Sequence, residues 1–185
     1  RGEDFSTWKR VSDSPVIPIE HEYEKNGSSH PSIAIDGDTI HILYTGEGDG
    51  LGGENHPYNN PVLCHATAPL SDPANVTKDP NNPLLLTCGQ PWDKYGIRET
   101  EVIKVGEHFH IFYGGYNGKI WEIGHVCTKD FRTFEPNPYN PILTASPNPG
   151  DGDCDGLLTP HVFELKNEFY MLYAGLNGGG EGGGW

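Results

Sequence analysis

Apolar and polar residues alternate with a period of two over three separate segments of the chain, "HPSIAIDGDTIHILYTG" (His30 to Gly46), "ETEVIKVGEHFHIFYGG" (Glu99 to Gly115) and "TPHVFELKNEFYMLYAG" (Thr159 to Gly175). In each, the alternation runs into a short turn and resumes beyond it, which is the signature of two antiparallel strands. The three segments superimpose without gaps. Ile33, Val102 and Val162 coincide, Gly37, Gly106 and Lys166 fall at the turn, and Ile40, Phe109 and Phe169 then lead to Tyr44, Tyr113 and Tyr173. One hairpin is written three times.

The likeness continues on both sides. Upstream, Glu24, Asp93 and Asp153 coincide, as do Gly27, Gly96 and Gly156 three residues later; downstream, "LCHATAPL" and "IGHVCTKDF" match His65 to His125 and predict a third strand. A fourth strand is expected over Asp130–Leu143, "DFRTFEPNPYNPIL", with a twin at the N-terminus in "DFSTWKRVSDSPVI", Asp4–Ile17. Four-stranded antiparallel units recurring at roughly 60 to 70 residues predict an all-β fold, a β-propeller whose blades surround a central axis. On this reading residues 1–185 are one incomplete propeller domain. Residues 4–17 are the last strand of a blade, 29–86 and 98–143 are blades, and 159–185 are the first strands of a further blade. About three blades' worth is fewer than a ring needs. The expectation is therefore a piece of a longer propeller, or copies that complete one another as a homo-oligomer.

Composition narrows the function classes. The formal net charge is -14, with only 12 Lys and Arg, which argues against binding a polyanion such as nucleic acid. No apolar run reaches the roughly 18 residues of a spanning helix, so no membrane role is expected. Cys64, Cys88, Cys127 and Cys154 form no CxxC pair and are read as buried thiols, disulfides staying open for an exported protein. A secreted or periplasmic location is the working expectation.

The hairpins, the "IGHVCTKDFRTF" passage and the "PYNPIL" blade end together resemble the five-bladed propeller glycoside hydrolases of the arabinanase, levansucrase and invertase type, above all the family 43-like enzymes. The resemblance runs over nearly the whole chain. It implies a funnel at the propeller axis, with carboxylates at the starts of the innermost strands. There the three hairpins differ most: His30, Glu99 and Thr159 form one equivalent set, and Ser32, Glu101 and His161 another. Glu101 stands where the resemblance implies a modulating Asp. His30 before Pro31 replaces the base Asp, and Leu158-Thr159-Pro160 stands where the acid Glu before Gly-Pro would be.

Glycosidic cleavage generally uses two carboxyl groups flanking the scissile bond. Glu99 and Glu101, two residues apart and so on one face of a strand, together with His161, are the catalytic candidates; pairing with Arg98 or Lys104 would instead make them a structural network. His30, Arg98, Asp93, Asp155, Trp92 and Tyr116 are the substrate-binding candidates. Arg98 can hold a carboxylate bidentately, and the aromatic rings can stack on sugars. His65 and His125 recur in both third strands and are read as packing residues. "DGDCDG", Asp151 to Gly156, resembles the first half of a calcium loop, but Val162 stands where the bidentate Glu belongs. No cofactor is expected, a structural calcium ion being the alternative. The leading expectation is a glycoside hydrolase acting on a poly- or oligosaccharide by carboxylate acid/base catalysis. The alternative is a noncatalytic carbohydrate-binding propeller.

Overall fold

The computed structural model describes residues 6–48, 61–85 and 87–177; Leu86, Trp185 and most of the loop 46–60 lie outside the described residues. The first blade is a four-stranded sheet in the order β1 (Gly27–Asp36), β2 (Thr39–Glu47), β3 (Val62–Pro69) and β4 (Thr77–Lys78). The second repeats it with β5 (Ile97–Val105), β6 (His108–Tyr116), β7 (Trp121–Thr128) and β8 (Glu135–Pro136). The third comprises the hairpin β9 (Gly156–Leu165) and β10 (Glu168–Leu176). All neighbouring strands are antiparallel.

The repeated residues build this scaffold. The acid of each leading loop accepts the tyrosine hydroxyl of its own second strand: Tyr44 to Glu24 at 3.4 Å, Tyr113 to Asp93 at 3.2 Å, Tyr173 to Asp153 at 3.1 Å. The glycine two residues beyond each tyrosine leaves room for that loop. A Cβ on Gly46 would lie 2.7 Å from the Tyr23 carbonyl oxygen, on Gly115 2.2 Å from the Trp92 ring, and on Gly175 2.6 Å from the Gly152 carbonyl oxygen. Between blades, Ala34, Leu43 and Leu63 of the first pack with Val102, Phe109, Ile111 and Val126 of the second in one buried cluster.

The outermost strands depart from expectation. The strand predicted over 130–143 shortens to β8 and an isolated bridge between Ile123 and Leu143. Pro136, Pro138 and Pro141 offer no N–H to a ladder, and a side chain takes over. Asn140 Oδ1 accepts the His125 N–H at 2.9 Å while Nδ2 donates to the His125 carbonyl at 2.8 Å. Asn82 does the same for His65 in the first blade, both at 2.8 Å. The expected N-terminal strand over 4–17 is also corrected: residues 6–17 run through turns and bends. They have no third strand beside them among the described residues, and Ile17 packs instead on the Tyr23, Ile40 and Tyr44 cluster.

The two outer blades each keep one face open. Val102 and Val162, covered by a preceding blade, are 3% and 5% exposed, whereas their equivalent Ile33 is 56% exposed. On the other side Phe109 is 3% exposed and its equivalent Phe169 54%.

Candidate active site

Three strand starts converge where β1, β5 and β9 lie side by side. Each inner hairpin carries a β-bulge there, between Ser29 and Ser32, between Arg98 and Glu101, and opposite Leu172 and Ala174 of the third blade. At the centre of the bulges, His30, Glu99 and Thr159 take positive φ values of 50°, 56° and 49°. A bulge re-aims side chains, and left-handed backbone at non-glycine residues is strain that clusters at functional sites. The expectation that Glu99 and Glu101 share a face by simple alternation is thus replaced: the bulge sets their directions.

The two equivalent sets become two tiers of contact across three blades. In the first, the Glu99 carboxylate lies 3.4 Å from His30 Nε2 through Oε1 and accepts the Thr159 N–H at 2.8 Å through Oε2. In the second, Glu101 accepts the Ser32 hydroxyl at 2.8 Å and pairs with His161 Nδ1 at 3.0 Å. Ser32 Oγ also accepts the Val102 N–H at 3.0 Å, tying the tiers to the blade-to-blade seam. Each carboxylate therefore bridges the first blade and the third from its place on the second.

Their surroundings differ. Glu99 is buried, and its N–H donates to Thr45 Oγ1 at 3.3 Å. Burial raises its pKa above the ordinary carboxylate value, assisted by Glu47 and opposed by His30, the Thr159 N–H and Arg98. That is the tuning a proton donor needs near neutral pH. Glu101 is more open and faces His161, which is largely exposed.

Glu47 belongs to the site although the sequence reading passed over it. Its carboxylate takes the Arg98 guanidinium at 2.6 Å and the Ser29 hydroxyl at 2.6 Å, and Ser29 Oγ lies 2.7 Å from His30 Nδ1. The signal was present: Glu47, Tyr116 and Leu176 end the three second strands at equivalent positions and differ as sharply as the strand starts do. Arg98 also lies 6.0 Å over the Trp121 ring, on which Tyr116 stacks at 4.7 Å. Tyr116 is thus placed beside the site through Trp121.

Three candidates are placed elsewhere. Asp93 is fully buried in the scaffold, its carboxylate accepting Tyr113 and the N–H groups of Cys88 and Gln90. Trp92 fills the space over Gly115 and Gly124 and stacks on Tyr113 at 5.5 Å, so it packs the blade. Asp155 lines a hollow with Ser146, Cys154 and Asn177 just ahead of β9, and its N–H donates to the Leu176 carbonyl. Of the calcium-like string, Asp151 accepts from Ser146 and Asn148 while Asp153 accepts from Tyr173, so these carboxylates turn to different partners. Among the described residues no cluster of His, Cys, Asp and Glu could hold a metal ion, no helix is long and apolar enough to cross a membrane, and the four cysteines are free thiols.

Comparison with known proteins agrees with this architecture. A solved glycoside hydrolase superimposes with a TM-score of 0.70 at 15% identity, over 90% of this chain and 48% of its own. This is the fold of the propeller glycoside hydrolases. A GH130 structure, described as belonging to mannoside phosphorylases that include glycoside hydrolases targeting β-1,2 mannosidic linkages in Candida mannan, matches with a TM-score of 0.61 at 13% identity, over 89% of this chain and 52% of its own. The GH32 β-fructofuranosidase BmSUC1 of Bombyx mori matches at 0.58 and 20% identity, over 80% and 29%. Among curated proteins, the β-1,2-mannobiose phosphorylase of Thermoanaerobacter sp. (strain X514) is 25% identical over 118 residues, 56% of this chain and 38% of its own length. The chain thus spans well under half of that relative. No family model matches it.

Proposed function

We propose that the chain supplies the axial site of an enzyme that cleaves glycosidic bonds in a poly- or oligosaccharide, with Glu99 as proton donor to the leaving oxygen. The observation that carries this reading is Glu99 itself. It is a buried carboxyl with raised pKa, aimed by a strained bulge into the meeting point of three blades. As the C–O bond breaks, its electron pair stays on the leaving oxygen, which takes the Glu99 proton. Glu101, held by Ser32 and His161, takes a proton from the attacking water. The curated relative's name supports a second reading, in which inorganic phosphate replaces water and needs no base.

The test is a panel of glycosides and oligosaccharides that includes β-1,2-mannobiose, assayed with and without phosphate on the longest natural form of the protein. Wild type should turn over a panel member, and Glu99→Gln should lose about 10²- to 10⁴-fold. Turnover that survives Glu99→Gln unchanged refutes the assignment. Binding without turnover selects the noncatalytic carbohydrate-binding propeller. The open faces at Ile33 and Phe169 support further blades there, from the same protein or from a second copy. We place the protein outside the cytoplasm because a polymeric substrate does not cross membranes, a location that fractionation of the source cells checks.

A further inference from the structure

The hydrogen bonds around His30 leave little freedom in where protons sit. A hydroxyl has one proton to give. The Glu47 carboxylate, held by Arg98 at 2.6 Å, can only accept, so the Ser29 hydroxyl, 2.6 Å from Glu47 Oε1, spends its proton there. Ser29 Oγ is then an acceptor toward His30 Nδ1 at 2.7 Å, and Nδ1 must carry a proton. The other ring nitrogen, Nε2, faces Glu99 Oε1 at 3.4 Å, while Glu99 Oε2 is already taken by the Thr159 N–H.

We propose that Arg98, Glu47 and Ser29 are positioning residues that lock His30 with a proton on Nδ1, so that His30 Nε2 and Glu99 together hold one further proton, the one delivered to substrate. This rests on the reading of Glu99 as proton donor. Two proton placements are compatible with that contact, a neutral carboxyl facing bare Nε2, or a carboxylate facing Nε2–H of the imidazolium. Either way one proton is stored. Losing it sets a carboxylate against a bare nitrogen lone pair, an arrangement with no proton left to join them. The charged groups acting on Glu99 besides His30 are Arg98 on β5 and Glu47 on β2, while Glu101 on β5 and His161 on β9 pair with each other in the second tier. In the reaction the stored proton forms the new O–H bond of the leaving group, and the pair is recharged from solvent.

The test begins without substrate. In protein labelled with ¹⁵N-histidine, a long-range ¹H–¹⁵N spectrum reads the protonation of each ring nitrogen, with His30 assigned by its loss in His30→Gln. The expected wild-type spectrum shows His30 Nδ1 protonated. Ser29→Ala and Glu47→Leu, two independent routes, should each move His30 to the Nε2–H tautomer, the first by removing the acceptor at Nδ1 and the second by freeing the Ser29 hydroxyl to donate to it, and Ser29→Thr should keep the wild-type pattern. For a substrate that is turned over, the alkaline limb of the pH profile should fall by about one pH unit in Ser29→Ala, a tenfold loss of proton affinity. A wild-type His30 with its only proton on Nε2, or variants that leave its spectrum unchanged, overturns the proposal. The spectrum decides it even if no glycoside is cleaved. A wrong tautomer beside a Glu99→Gln that is inactive overturns this inference alone.

Discussion

Acid should destabilise this fold through its paired histidines, and His125 shows by how much. Its ring is stacked on His110 at 5.2 Å, with Nε2 3.0 Å from His110 Nδ1 and Nδ1 3.3 Å from Asn137. Burial first, then the neighbouring His110, lowers its pKa from 6.5 to about 4. The unfolded chain therefore binds a proton below pH 6.5 that the folded chain refuses. The stability this histidine confers is complete above pH 6.5, is lost as pH falls, and is gone near pH 4. The interval corresponds to about 3 kcal/mol, reduced to about 2 by partial solvent access. His125→Phe keeps a stacking ring but cannot titrate. It should cost about 1 kcal/mol at pH 7.5 for the lost hydrogen bond and lose stability less steeply toward pH 4.5, so that the two curves converge. Urea unfolding at a series of pH values measures this. Parallel curves for wild type and His125→Phe would refute the reasoning.

Other consequences concern the scaffold. Asn140→Ala and Asn82→Ala should each cost about 1–3 kcal/mol in urea unfolding, because each strips two hydrogen bonds from a backbone that no strand replaces. Gly115→Ala drives a Cβ into the Trp92 ring and should cost about 1–3 kcal/mol, whereas Gly152→Ala meets open space and should be near neutral in the same assay. A thiol reagent added to the native protein should leave Cys64 unlabelled, since it is fully buried and burial pushes its pKa up to about 12.

What was legible in the sequence was what repeats. Period-two alternation needs only local chemistry, and three copies made strand boundaries, turns and blade order readable to within a few residues of the observed strands. The same repeats picked out residues that meet across blades, because the sets His30/Glu99/Thr159 and Ser32/Glu101/His161 form the two contact tiers. Asp93 and Trp92, read as binding candidates, are buried in the blade. Proximity to a strand start does not reveal that a carboxylate is turned inward to Tyr113, or that an indole covers a glycine. Glu47 was missed because it ends a strand, and its link to Ser29 joins residues separated by the whole hairpin in sequence that only the β1–β2 ladder brings together at its open end. The outer strands were overread, since a run of residues around three prolines looks extended while an asparagine side chain holds the edge.

The strain at the strand starts is itself open to measurement. His30, Glu99 and Thr159 share left-handed φ values although their side chains have nothing in common. The bulge therefore belongs to the blade and not to any one residue's chemistry, and each blade bears its cost, about 1–3 kcal/mol for a non-glycine residue. Thr159 is the worst suited, because branching at Cβ makes that region a real outlier, whereas Asn tolerates it. Its side chain is exposed, and its contribution to the first tier is a backbone N–H. Thr159→Asn should therefore raise stability by about 1 kcal/mol, seen as a higher urea midpoint at unchanged slope, while the Thr159 N–H stays on Glu99. If Thr159→Asn instead lowers the midpoint, the threonine side chain holds the bulge by contacts of its own, and the strain does not belong to the blade.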